Sequence, residues 1–416
     1  MLVRKMDLSD KSMLINKLNL TLSIFFASLA GYSFFAFFPV YLSNLTYPDG
    51  SITFIMTFLG IGIAIFSSFF GRISDGTGKR KVFLTVGLVG QVCIFITLIV
   101  VNNLVIFCIL TFLRGVTLAA RMPASNALFA DIVENRHNHI ELNTTESEVS
   151  GRQLTLLNTI KSGGWAIGLI FSNIFMNLFG VGSLVVFLII TTILALIFAL
   201  FVKDTVVDIE EIHNNLAKEE LIEENLLDPK ENDQSPNGVN SLLFIPIFLR
   251  QFGVLPFLQI IALILFDAGI DPSLIGIIVA INPLVQVLAM VLMGRLIDKA
   301  RITEKLMMAV GFFIAAITLI CYMTGLIFSS LPIFIIGQIF IAFSWGCIQT
   351  GSNKYIVNRA PRERAKFTGY FFTSMQIAKI IGLLLFSYLI SYLSYQTILP
   401  FAAILPLIAA IIIFRL

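Results

Sequence analysis

Gly71-Arg72-Ile73-Ser74-Asp75-Gly76-Thr77-Gly78-Lys79-Arg80-Lys81 closes one long apolar run of this chain, and Gly294-Arg295-Leu296-Ile297-Asp298 closes another a little over half a chain length later. Both read Gly-Arg-x-x-Asp, and both are followed by Lys and Arg. A repeat at that offset points to a duplicated membrane protein with the same basic hinge in each half. Internal duplication of apolar segments is a mark of secondary transporters, where one half moves against the other.

The composition around the repeat agrees. The 416-residue chain is 57% hydrophobic and 13% charged, with mean hydropathy +0.92; a soluble domain carries roughly 25% charged residues. Apolar runs of about 20 residues, long enough to cross a hydrocarbon core as helices, recur at 19–44, 50–73, 82–101, 103–130, 153–178, 181–202, 241–266, 273–296, 305–326, 330–356, 366–393 and 396–415. The expected fold is all-α and integral to a membrane, with twelve spans in two pseudo-symmetric six-helix bundles. Residues 1–202 form the first bundle, 203–240 a linker and 241–416 the second. Pro39, Pro123, Pro246, Pro256 and Pro283 fall inside spans, where neighbouring helices can satisfy the freed carbonyls.

Charge orients these spans. The connecting segments 45–49, 102–103, 179–181, 267–272, 327–329 and 394–395 contain no Lys or Arg, although the chain has 28. Basic residues gather on the cytoplasmic side of short loops, so both termini are expected in the cytoplasm of a multi-pass cell-membrane protein. Residues 1–18 carry Arg4, Lys5, Lys11 and Lys17 without a cleavage-type motif, so the first span serves as an uncleaved insertion signal. Cys93, Cys108, Cys321 and Cys347 all lie in spans and imply no disulfide framework. The 203–240 segment holds eleven Asp or Glu and reads as a solvated linker, with Ile209, Ile212 and Leu216 at the spacing of a short amphipathic helix. His137, His139 and Glu141 share a polar loop without a cysteine, a poor metal set. No cofactor or metal is expected.

At this point the chain resembles the major facilitator superfamily over essentially its whole length. The 71–81 segment is similar to that family's signature between spans 2 and 3. In span 4, Arg114-Gly115, Pro123-Ala124 and Ala130-Asp131 resemble the family's Arg…Gln-Gly…Pro-Ala…Ala-Asp run, with Thr111 where the family has its usual Arg and Arg114 at the Gln position. Gly151-Arg152 and Pro361-Arg362-Glu363-Arg364 add to the likeness. Span 5 departs from the family's drug antiporters, having Gly163-Gly164 and Gly168 where they carry Gly-Pro. The resemblance implies that Asp75, Lys79 and Asp131 latch one conformation from the inside. Gly71 would permit a close helix approach, Gly78 would belong to the same turn, and Gly294 and Asp298 would form a degenerate second copy. It also implies that spans 1, 4, 7 and 10 line a central cavity, flanked by 2, 5, 8 and 11.

Polar stripes fit that cavity on their own. Thr111, Arg114, Arg121 and Ser125 fall in a narrow arc at 100° per residue, and Arg114 and Arg121 lie about 10 Å apart by helix rise. Asn158, Lys161, Trp165 and Ser172 mark span 5; Gln338, Trp345, Gln349 and Ser352 mark span 10; Gln376 and Lys379 mark span 11. Span 1 is expected to supply the aromatic face Phe34, Phe38 and Tyr41. A cation at a helix centre costs about 2.5–3.5 kcal/mol on insertion scales, so Arg114, Arg121, Lys161 and Lys379 must meet water, a partner or a ligand. Arg250 either joins them or reaches the inner surface. No Asp or Glu lies deep in a span, since Asp267 is at an outer end and Asp75, Asp131 and Asp298 are at the inner rim.

A positive cavity without acids is most simply neutralised by a bound anion held by Arg forks and Lys point charges. The expected function is secondary active transport of a small anion by alternating access, with Arg114, Arg121, Lys161, Trp165, Gln349, Gln376 and Lys379 binding it. Protons are a candidate coupling ion, entering with the solute or through Asp267. The alternative is a proton-driven efflux pump for drugs or amphiphiles, favoured by 39 Phe but lacking the buried acid that cationic drugs require. Uptake of a neutral sugar through amides and Trp is a third reading. A membrane enzyme finds no nucleophile–base pair and no phosphate-cradling loop, and nothing suggests nucleic-acid binding. The chain is expected to work as a monomer in the bilayer.

Overall fold

The computed structural model describes residues 8–137, 146–204, 241–298, 302–359 and 364–416. All regular structure among them is helical: α1 (Leu8–Asn44), α2 (Asp49–Thr77), α3 (Arg80–Leu98), α4 (Leu104–His137), α5 (Glu146–Phe179), α6 (Ser183–Phe201), a 3-10 turn (Ser241–Leu243), α7 (Phe244–Gln259), α8 (Ile261–Asp267), α9 (Pro272–Asp298), α10 (Glu304–Phe328), α11 (Leu331–Arg359), α12 (Arg364–Ile390) and α13 (Tyr395–Arg415). In hydrocarbon every backbone N–H and C=O must be paired within its own segment, and an uninterrupted helix meets that demand.

Eleven of these helices are long and apolar enough to cross a membrane, and the α7–α8 pair, bent by 55°, brings the number to twelve if it is counted as one broken span. The expected seventh run is thus two helices rather than one. The break falls at Ile260, whose N–H reaches only the Phe257 carbonyl. It lies four residues beyond Pro256, so the proline's own missing bond is not its cause. Beside the break, the Gln259 amide donates to the Met56 carbonyl of α2 at 3.3 Å.

Helices of the first half pack as α1–α5, α1–α6, α2–α4, α3–α4 and α3–α6; those of the second pack as α7–α12, α7–α13, α9–α11, α10–α11 and α10–α13. The two sets meet chiefly through α5–α9 and α2–α12. Small residues allow the tight crossings, since lipid provides no hydrophobic drive and close backbone approach must do the work. A Cβ on Gly62 would fall 2.4 Å from the Phe112 carbonyl oxygen, and one on Gly115 2.5 Å from that of Leu59, so α2 and α4 touch backbone to backbone. Gly164 and Gly168 set α5 against the carbonyls of Phe25 and Leu29 in the same way.

Phenylalanine serves two environments. Phe34, Phe37, Phe38, Phe95 and Phe107 are buried between helices, while Phe69, Phe171, Phe201, Phe401 and Phe414 are exposed on outward faces. Those exposed faces are where an apolar solvent belongs. The linker 205–240, with its candidate amphipathic helix, and the segment bearing His139 and Glu141 lie outside the described residues.

Candidate functional site

Four of the expected cations converge on one chamber. Arg114 and Arg121 on α4, Lys161 on α5 and Lys379 on α12 line a cavity of about 150 Å³ together with Ser28, Gly31, Tyr32 and Phe35 of α1. Arg114 and Arg121 share a face because they stand two turns apart on one helix. Lys161 and Lys379 reach the chamber from opposite halves of the chain. Arg114 is 1% exposed and Arg121 and Lys379 are 8% exposed.

Their partners are uncharged. Arg114 donates to the Gly31 carbonyl at 3.3 Å, its guanidinium 3.8 Å above the Phe34 ring and 5.6 Å from that of Phe95. Lys161 donates to Asn126 Oδ1 at 2.6 Å, and the Lys379 ammonium lies 5.3 Å over the Phe35 ring. Arg121 neighbours Tyr32. Both Arg114 and Lys161 feel the charge of Arg121, and Lys379 feels that of Arg114, with no acidic group acting on any of the four. Two like charges about 10 Å apart repel by roughly 2 kcal/mol at an effective dielectric of 20. The fold therefore gathers positive charge and leaves it unopposed among the described residues.

A second chamber of about 240 Å³ adjoins the first through Tyr32. Its walls include Trp165 of α5, Arg250 of α7, Asn282 and Gln286 of α9 and Trp345 of α11. Tyr32 stacks on Trp165 with centroids 4.4 Å apart, and the Trp165 indole N–H is buried without a hydrogen-bond partner. Arg250, 1% exposed, does not reach a surface.

Several expectations require correction. The stripe Phe34, Phe38 and Tyr41 packs into the wall, with Phe34–Phe38 centroids 4.2 Å apart and the Tyr41 hydroxyl donating to the Leu98 carbonyl. Gly31, Tyr32 and Phe35 face the chamber instead. A helix with aromatics on two faces offers no periodic signal to choose between them. Gln349 and Gln376 are outside both linings; Gln349 donates to Asn353, and each has a buried carbonyl oxygen without a partner. Thr111 and Ser172 bond their own helix backbones. Tyr32, Asn126, Asn282 and Gln286 escaped the sequence reading. Asn282 stands next to Pro283 in an otherwise apolar run, and a lone amide there has no periodic stripe to mark it.

The expected latch is only partly open to inspection, because the side chains of Asp75, Asp131 and Asp298 lie outside the described residues. A Cβ on Gly71 or Gly294 would meet nothing within 4 Å, so neither glycine makes the close approach expected of it here. Gly78 ends α2 in the left-handed region at φ 65°, its N–H on the Ser74 carbonyl, and Lys79 beyond it is exposed. Its role in this conformation is to stop a helix.

The halves are tied at the end whose loops lack Lys and Arg. Tyr395 donates to Asp49 Oδ2 at 2.7 Å, Ser387 to the Gly50 carbonyl at 2.7 Å and Asn173 to the Ser273 carbonyl at 2.8 Å. The Asp267 carboxylate lies beside that of Asp49 in the same cluster. No group of three or more metal-ligating side chains occurs among the described residues.

Comparison with known proteins follows this geometry. The family model described as Major Facilitator Superfamily matches residues 20–229 and 241–416. No curated protein matches the chain by sequence. Among solved structures, a peptide transporter POT in complex with sulfate is similar at TM-score 0.71 and 12% identity over 96% of this chain and 94% of that one. A POT family transporter in complex with 5-aminolevulinic acid gives 0.71 and 13% over 97% and 96%. The nucleoside transporter NupG gives 0.70 and 14% over 96% and 98%. At such identities the likeness is one of fold.

Proposed function

Since the chain belongs to the major facilitator superfamily and is a membrane transporter, we propose that its solute is a small anion, moved by alternating access between two six-helix bundles, residues 1–202 and 241–416, joined by 203–240. One observation carries this reading: Arg114, Arg121, Lys161 and Lys379 line a single chamber with no acidic partner among the described residues. Arg114, Arg121 and Lys379 are buried and Lys161 is half-buried; leaving such charges unpaired is unfavourable, and an entering anion offsets that cost with charge-assisted hydrogen bonds.

The halves meet through spans 2 with 11 and 5 with 8, a pattern that a two-fold exchange of halves reproduces. The loops free of Lys and Arg face outward by the positive-inside rule, which puts both termini inside. The Asp49–Tyr395, Gly50–Ser387 and Asn173–Ser273 bonds then close the outer mouth, and the solute would exchange with the inner side in this conformation. Rocking about the chamber would open that mouth and bring Asp75, Lys79 and Asp131 together inside.

A pump for cationic amphiphiles is disfavoured by the same chamber, which holds no acid and a single phenylalanine, Phe35. Proteoliposomes loaded with candidate anions separate the readings. The Lys161→Ala/Lys379→Ala double variant is expected to lose anion flux by at least tenfold while inserting normally. Undiminished flux in that variant, or flux of organic cations in the parent protein, would sink the proposal.

A further inference from the structure

Arg250 lies outside the lining of the Arg114 chamber. It is buried in the second half, and of its five N–H donors one reaches a side chain, from Nη1 to Gln251 Oε1 at 2.5 Å. Its Nε has no partner. Its guanidinium lies 5.5 Å from the Trp345 ring, and no acidic group among the described residues acts on it. A buried guanidinium with one neutral acceptor is incompletely satisfied, and an anion bound only in the Arg114 chamber leaves it so.

Its surroundings are those of a ligand pocket. Arg250 shares the second chamber with Trp345, Asn282 and Gln286 of its own half and with Tyr32 and Trp165 of the other. Tyr32 is a wall of both chambers. Each is smaller than the roughly 300 Å³ at which small-molecule sites begin, and joined they fall within that range. A solute lying past the Tyr32 ring would reach positive charge at both ends.

We propose, building on the anion reading above, that the transported solute is an elongated dianion with separated anionic groups, such as a dicarboxylate. One group is held by Arg114, Arg121, Lys161 and Lys379. The other takes a fork from Arg250, with the Trp165 indole N–H and the Asn282 and Gln286 amides beside it. The first set takes three cations from the first half and Lys379 from the second, so a monoanion of equal length gains only that set, and the dianion adds Arg250 of the second half.

The test is binding to the purified full-length protein by calorimetry and thermal shift. Succinate, glutarate and adipate are compared with butyrate, valerate and hexanoate, and inorganic sulfate, too short to span both chambers and drawn to the larger cluster of four cations, serves as the single-group probe. The expected result is that one diacid binds at least tenfold tighter than the monoacid of equal length. Arg250→Gln should bring that diacid down to the level of the monoacid while sulfate binding stays unchanged, and Arg250→Lys should restore part of the difference. The wild-type length series decides the matter even if Arg250→Gln does not fold. Equal affinity for diacids and monoacids, or a substitution that weakens sulfate and diacid alike, overturns the proposal. Sulfate binding without any diacid binding removes the dianion and leaves the anion reading standing. Silence towards all seven probes removes both.

Discussion

A buried arginine placed for packing and one placed for a ligand answer differently to substitution. Arg114 lies between the Phe34 and Phe95 rings and has one carbonyl acceptor. If the charge serves only the fold, removing it uncouples those contacts. If it waits for an anion, an apolar residue of similar volume relieves a cost, as replacement of buried charges by well-packed apolar groups often does. Arg114→Met is therefore expected to unfold no earlier than the parent protein in anion-free buffer, yet to lose the stabilisation that anions confer. That stabilisation should amount to about 2.7 kcal/mol at a hundredfold excess over Kd. Thermal unfolding with and without sulfate measures both, and a large drop in the anion-free midpoint of the variant would assign Arg114 to packing. The arginines were legible in the sequence because charge inside an apolar run stands out against its neighbours. Tyr32 was not, since an aromatic residue in a membrane helix looks the same whether it meets lipid, core or cavity.

At the scale of helices, the chamber's shape depends on how closely α2 and α4 cross, because α4 carries both arginines. The crossing is set by Gly62 and Gly115, whose absent side chains would strike backbone oxygens at 2.4 and 2.5 Å. Gly115→Val must push the helices apart. Overpacking of this kind costs roughly 1–3 kcal/mol, and the variant should show a lower unfolding midpoint along with weaker anion binding as Arg114 and Arg121 move. Normal stability and affinity in Gly115→Val would show the crossing to be compliant. The glycine signature that drew the eye in sequence behaves otherwise here. Gly71 and Gly294 face open space, and Gly78 simply terminates α2. A motif records a requirement summed over every conformation a chain visits, and one conformation need not exhibit it.

For the whole molecule, the proposed alternating access makes the bonds joining the halves at the Lys- and Arg-free end the ones that would set the balance between open and closed mouths. A buried or half-buried hydrogen bond is worth about 1 kcal/mol net, so losing two should shift that balance by roughly thirtyfold. The Tyr395→Phe/Ser387→Ala pair removes the donors to Asp49 and Gly50. Spin labels at exposed positions near those helix ends should then report a larger share of long distances, and an unchanged distribution would deny the cluster its gating role. The apolar runs long enough to span, the side on which basic residues are expected and the presence of positive charge inside those runs were legible in the sequence alone, because bilayer thickness and the cost of burying a cation act on each segment independently of its neighbours. Which cations share a chamber, that α1 turns Tyr32 and Phe35 rather than Phe34 and Phe38 towards it, and that Arg250 occupies a chamber of its own were decided only by tertiary packing. Those outcomes depend on the rotation of each helix about its axis, and that rotation is fixed by contacts between residues hundreds of positions apart.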